Sequence, residues 1–167
     1  LGVQPAVIAL VDVVPHLGVA VNVHGETRTG LEQAVGPAGR IGQQIAAVRI
    51  VMSGAGAAGT AVIKLLIAAG ARNVVVADIA GVVHRRRDNL TGELEWLAQN
   101  TNQLDFTGSL REAVVGADVF IGLSAPGVLS GSDVAAMADR SIVFALANPE
   151  PEVDPAEATR YAAVVAT

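Results

Sequence analysis

A doubly wound α/β fold with a mostly parallel sheet is predicted by three observations. From residue 48 onward, short aliphatic runs alternate with segments of helical periodicity, the rhythm of strand–helix–strand units. The chain is 51% hydrophobic but has only three Phe, one Tyr and one Trp. Its core must therefore come from Val, Ala, Ile and Leu, which suits strands covered by helices on both faces. A glycine-rich turn, Gly54 to Gly59, stands at the sharpest strand-to-helix junction. The 167 residues make one ordinary domain with room for a real core.

Residues 1–47 read as a weakly patterned segment of the same domain. Val3 to Val14 is apolar but holds Pro5 and Asp12. Val19, Val21 and Val23 alternate like a short strand, and Leu31 to Val35 is helical in composition until Gly36, Pro37 and Gly39 interrupt it. Ile41, Ile45 and Val48 share one helical face. From residue 48 the order is clean. A strand over 48–53 precedes a helix over 57–69, stopped by Gly70. A strand over 73–77 leads into a polar, basic loop over 79–90, then a helix over about 92–99. Ser109, with Glu112 three residues on, opens a short helix as a capping box. Gly116 closes it before a strand over 118–122. Ser132 and Asp133 open a helix to about Ala138, and a strand over 142–146 follows. Asp154 caps a last helix starting at Pro155. A strand over 163–166 comes last, and both chain ends read as cuts through a longer protein.

The glycine turn carries the ligand signal. Val51-Met52-Ser53-Gly54-Ala55-Gly56-Ala57-Ala58-Gly59 is strand, Gly-x-Gly-x-x-Gly and helix start, and the next strand ends on Asp78, 24 residues beyond Gly54. This is the order and spacing of a dinucleotide site, with the acid about 20 residues on. Gly54 serves the sharp turn, Gly56 lets a pyrophosphate approach the main chain, and Gly59 lets the helix lie close to the sheet. The first N–H groups of the helix, near Ala57 and Ala58, face the dianion. Asp78 is placed to accept two hydrogen bonds from a ribose diol. The competing structural reading is a tight α/β turn in which glycine serves packing alone.

Ligands of such sheets bind outside the carboxyl ends of the strands. The strand over 118–122 delivers Ser124 and Ala125 there, and the strand over 142–146 delivers Asn148. Ser124 and Asn148 are candidates to face the nicotinamide half of a dinucleotide. A local turn bond is the plainer role for each. Pro149 biases Asn148 towards an extended backbone.

Composition excludes other classes. Sixteen acids against eleven Lys and Arg give a net charge of −5, which argues against nucleic acid. The scarcity of aromatics removes stacking platforms. Arg85, Arg86 and Arg87 form the sole basic cluster, either a solvated loop or a contribution to phosphate or adenine binding. There is no cysteine, so no thiol nucleophile or Cys-based zinc site exists, and a reducing cytoplasm suits the chain. No signal peptide is visible, and the longest apolar stretches are too short to span a bilayer.

Three stretches resemble the NAD(P)-binding domain of malic enzyme: Val51 to Gly59; Ala117-Asp118-Val119-Phe120-Ile121-Gly122-Leu123-Ser124-Ala125-Pro126-Gly127; and Ile142-Val143-Phe144-Ala145-Leu146-Ala147-Asn148-Pro149-Glu150-Pro151-Glu152-Val153. The last is the most specific, and the resemblance covers residues 48–167. It implies a Rossmann-type domain from an oxidoreductase that oxidises malate with NAD or NADP and decarboxylates the product to pyruvate. It also implies Mg or Mn in the complete enzyme and a homo-oligomeric parent. By resemblance, Gly54, Ala55, Gly56, Ala57, Ala58 and Gly59 cradle the pyrophosphate and Asp78 holds the ribose. Ser124 and Ala125 line the cofactor site, and Asn148 lies between nicotinamide and substrate. Because Asp78 would repel a 2′-phosphate, NAD is expected over NADP.

The departures from the family pattern matter equally. Its general base is a lysine and its general acid a tyrosine, both in an N-terminal domain. The sole lysine here, Lys64, falls in the helix after the glycine turn, and the sole tyrosine, Tyr161, comes late in the chain. His24 and Gly25 stand where a metal-site step belongs, but Asn22 replaces the expected acid, a poor exchange on a hard cation. No catalytic or metal-ligating residue is assigned, and the chain alone is expected to be inactive. Two other readings stay open: the nucleotide domain of another dehydrogenase, and a non-catalytic nucleotide-binding module.

Overall fold

The computed structural model describes residues 45–167; the readings made for residues 1–44, His24 and Asn22 included, lie outside them. Six strands form one sheet: β1 (Arg49–Ser53), β2 (Asn73–Asp78), β3 (Gly81–Val82), β4 (Val119–Gly122), β5 (Ile142–Ala145) and β6 (Val164–Ala166). Five helices connect them: α1 (Ala57–Ala68), α2 (Glu93–Asn100), α3 (Leu110–Val114), α4 (Gly131–Ala135) and α5 (Pro155–Ala158). The spatial order is β3-β2-β1-β4-β5-β6. Every neighbouring pair is parallel except β2 with β3. The chain thus winds one way from β1 to β2 and the other way from β1 to β4, the doubly wound arrangement.

Strand periodicity explains the two cores. Successive side chains of a strand point to opposite faces. Ile50 and Met52, Val74 and Val76, Val119 and Ile121, with Phe144, face one layer, where Ile63 and Leu66 of α1 and Leu97 of α2 cover them. Val51, Val75, Phe120 and Val143 face the other, under Ala113 and Val114 of α3, Val134 of α4 and Ala158 of α5. The two largest fully buried side chains, Phe120 and Phe144, fall on opposite faces. Each layer therefore has one fully buried aromatic among aliphatics.

Polar side chains finish the frame. Arg49 donates to the carbonyls of Ala113 and Val115 at 2.9 and 2.8 Å, satisfying groups at the end of α3. Its own N–H bonds Asp118 at 2.7 Å. Buried Asn102 donates to the carbonyls of Val83 and Phe106 and accepts from the Phe106 N–H, tying the turn after α2 to the edge of the sheet.

Two expectations needed correction. The loop expected over 79–90 contains β3, formed because Gly81, at φ +103°, turns the chain back to pair Ala77 with Val82. The fourth helix begins at Gly131, capped by Ser130, because the Asp133 carboxylate takes the Ser130 N–H at 2.7 Å. The Ser109 capping box, the Asp154 cap and the stop at Gly70 all form as read.

In the Ser109 box, the backbone N–H and then the hydroxyl of Ser109 hold the Glu112 carboxyl below the ordinary carboxylate range. Ser109→Ala should cost about 1 kcal/mol in urea melts. A depressed folded value means the carboxylate's share is present above its unfolded value and lost as pH falls through the folded one. Glu112→Gln should therefore differ from wild type at neutral pH and converge with it in acid.

Candidate functional site

All five parallel strands end on one edge, and a cleft of about 740 Å³ opens there, a volume ordinary for a small-molecule site. It is lined by Ser53 and Gly54 at the end of β1, Asp78 to Gly81 from the end of β2 to the start of β3, Gly108 to Arg111 at the start of α3, and Ser124, Ala125, Gly127 and Val128 after β4. A second depression, about 780 Å³, lies at the opposite edge by Arg49 and Asn73, the amino ends of β1 and β2, where Arg49 is already committed to α3 and its surroundings.

The glycine turn has the geometry its sequence requires. Gly54 sits at φ +114°, and a Cβ there would overlap the Leu123 carbonyl oxygen. A Cβ on Gly59 would overlap the carbonyl oxygen of Gly54, so α1 can leave the sheet this closely only with glycine at that point. Gly56 differs: nothing lies within 4 Å of its missing Cβ, and it faces open space with exposed Ala57 and Ala58. Gly56 is the N-cap of α1, with no side-chain cap bond and no acid in the first turn. The positive end of a twelve-residue helix is thus left uncompensated two residues beyond Gly54 of the cleft wall, which suits an anion, although Gly56, Ala57 and Ala58 do not themselves line the cleft.

Asp78 lines the cleft with its carboxylate already engaged. Arg87 forks onto it, Nη1 to Oδ1 at 3.1 Å and Nη2 to Oδ2 at 3.0 Å, and the Ala80 N–H donates to Oδ1 at 2.8 Å. Of about four acceptor positions on a carboxylate, one on Oδ2 stays open. The Arg87 side chain is only 8% exposed, does not line the cleft, and bonds Asn89 through Nε. The basic cluster therefore divides: Arg87 is structural support for Asp78, while Arg86 pairs outward with Asp105 at 2.8 Å. The cationic side chain that does line the cleft is Arg111, 62% exposed and 3.7 Å from Asp133. Sequence reasoning missed it, because a helix arginine after a capping box reads as surface.

Ser124 and Ala125 lie in the cleft wall, and the Ser124 hydroxyl bonds that of Ser53 at 2.7 Å. Ala55 lies partly buried against the core. Asn148 does not line the cleft. It is exposed, next to a cis Asn148–Pro149 bond. Lys64 rests its ammonium 4.9 Å from the Trp96 ring centroid, and Tyr161 is 51% exposed; neither lines the cleft. Among the described residues no group of three or more His, Asp or Glu side chains is placed to hold a cation.

The glycines give a paired test. Gly59→Ala should lower stability by about 3 kcal/mol, as overpacking against backbone does. Gly56→Ala should cost less than about 1 kcal/mol, the scale of an N-cap change, while weakening nucleotide binding. Melts and nucleotide titrations on the same two variants check both halves.

Residues 33–167 match the family model described as malic enzyme, NAD binding domain. The chain is 48% identical over 120 residues to the NAD-dependent malic enzyme of Geobacillus stearothermophilus, covering 72% of this chain and 25% of that protein. It is 42% identical over 130 residues to the NADP-dependent malic enzyme of Halomonas elongata, covering 75% and 30%. The crystal structure of NAD-dependent malic enzyme from Thermotoga maritima superposes with a TM-score of 0.71 at 36% identity, covering 78% of this chain and 36% of that one. The chain thus spans between a quarter and a third of the length of these curated relatives. With the family match running over most of the chain and the doubly wound sheet agreeing with a solved member, this chain belongs to the malic enzyme family, in the part that binds NAD(P).

Proposed function

We propose that the cleft at the carboxyl edge holds NAD, and that the chain supplies the cofactor half of an enzyme oxidising and decarboxylating malate. The observation that carries this is the conjunction at one edge of an open Gly56, an uncapped α1 terminus and Asp78. Gly54 to Gly59 would hold the pyrophosphate, Asp78 the adenosine ribose, and Ser124 with Ala125 the wall beyond. NAD supplies a hydride acceptor when bound. The chain's own residues bind it, orient it and shield one side of it. The sole lysine and sole tyrosine do not line the cleft, and among the described residues no cluster of His, Asp or Glu is placed to hold a cation; we assign the proton-transferring groups and the Mg or Mn ligands to the rest of the complete enzyme. Malate is the substrate of that complete enzyme, which we place in the cytoplasm as a homo-oligomer.

The Asp78–Arg87 fork favours NAD over NADP. A 2′-phosphate would meet the carboxylate first, and the guanidinium behind it is buried and committed to Asp78 and Asn89. Titrating both cofactors into the chain should show NAD binding more tightly. Tighter NADP binding would overturn the preference, and loss of that binding in Arg111→Ala would identify the cation responsible.

The Asn148 side chain makes no hydrogen bond among the described residues, in contrast to the engaged side chains of Ser124 and Asp78. It therefore contributes little to the fold. In the complete enzyme, Asn148→Ala should leave stability within about 0.5 kcal/mol, as for a surface change, while turnover falls by about a hundredfold, as when a contact to developing charge is lost. A melt and a steady-state assay on one preparation would check both; near-normal turnover would return Asn148 to the surface.

A further inference from the structure

Glu152 is fully buried in a loop that follows β5, and none of the roles above uses it. Its Oε1 accepts the Ser124 N–H at 2.7 Å, and its Oε2 accepts the Ala147 N–H at 2.9 Å. The Ser124 hydroxyl lies 3.4 Å from Oε1 and continues the chain of contacts to Ser53 at 2.7 Å. Gly122 makes the room, since a Cβ there would overlap the Glu152 carboxyl. Backbone bonds brace the same junction: the Leu129 N–H donates to the Glu152 carbonyl at 3.0 Å and the Gly127 N–H to that of Pro151 at 3.1 Å. Among the described residues no cationic side chain bridges Glu152.

A buried carboxyl held only by neutral donors is costly to desolvate, and an apolar residue of similar volume would fill the space at less cost. Its value lies in what it joins. The two N–H groups belong to different loops, one leaving β4 and one leaving β5, and one side chain spans both. The β4 loop carries Ser124 and Ala125 into the cleft wall, and the residue after Ala147 is Asn148. The adenosine side, built from β1, β2 and the start of α3, touches neither N–H. We propose that Glu152 is a positioning residue that clamps the β4 and β5 loops at the separation required by the non-adenosine half of the dinucleotide. This rests on the cleft being the nucleotide site.

The test compares AMP and NAD binding to the wild-type chain and to Glu152→Gln. The glutamine amide keeps the volume but turns a donor towards one of the two N–H groups, so one bond is lost. NAD affinity should fall about tenfold, equivalent to about 1.4 kcal/mol, while AMP affinity stays within about twofold, because the adenosine side keeps its contacts. Equal losses for AMP and NAD, or no loss for NAD, would overturn the clamp. A wild-type chain that binds no NAD would instead overturn the cleft assignment, and the clamp with it. Should Glu152→Gln fail to fold, hydrogen exchange on the wild-type chain decides. The Ser124 and Ala147 amides should exchange as slowly as those of β4, and rapid exchange at both would overturn the proposal.

Discussion

Parallel pairing of β1 with both β2 and β4 is the constraint on which the rest depends. Ile50 pairs with Val74 on one side and Val119 on the other, and Ser53 pairs with Ala77 and Gly122. Because all three strands run the same way, their exits fall side by side, and each exit must turn sharply to leave the sheet. The β1 exit is the tightest, with Gly54 pressed by the Leu123 carbonyl and by Gly59 of the departing helix. The Gly54 N–H bonds the Ala77 carbonyl at 2.8 Å, and the Leu123 N–H bonds that of Ser53 at 2.8 Å. The backbone polar groups at the three exits thus satisfy one another. What remains without a cap is the N-terminus of α1, which follows the β1 exit.

Three side chains then set the shape of that edge, and each works through a neighbour. Arg87 fixes Asp78, Glu152 fixes the β4 and β5 loops, and Ser53 holds Ser124. A paired or donor-saturated carboxyl is a rigid object, because breaking either contact strands a desolvated polar group at a cost of about 1–3 kcal/mol. The cleft walls are therefore preorganised, while Gly56, Ala57 and Ala58, which follow Gly54 outside the cleft lining, stay exposed.

Strands were legible because Val48 to Met52, Val74 to Ala77 and Val119 to Ile121 are short, mostly apolar runs that suit burial on two faces. Their observed bounds fall within a residue of those read. The turn glycines were legible because spacing alone defines their task. β3 was not, since two residues in a polar stretch carry no periodicity and exist as strand only through pairing with β2. The Asp78–Arg87 fork was hidden among three adjacent arginines, where only the path of an irregular segment decides which one turns inward. Glu152 was hidden for the opposite reason: an acid in the segment Pro149-Glu150-Pro151-Glu152 reads as solvated. Only the three-dimensional closure of two loops, and the empty side of Gly122, bury it.

The fork also bears on how this edge would receive either nicotinamide cofactor. Asp78 and Arg87 each carry the charge that one cofactor wants removed and the other wants exposed. While paired, Asp78 keeps its orientation with one Oδ2 position open, and Arg87 is screened. Receiving a 2′-phosphate would require the carboxylate to swing away, breaking two charge-assisted bonds and the Ala80 contact before any new bond forms. Breaking a pair with one partner this buried leaves a desolvated charge, and such losses reach about 3–5 kcal/mol. A phosphate–guanidinium contact would have to recover that cost before NADP gained any advantage. On the reading proposed above, a preference at this edge would be set less by which charges are present than by the cost of separating the two that already meet.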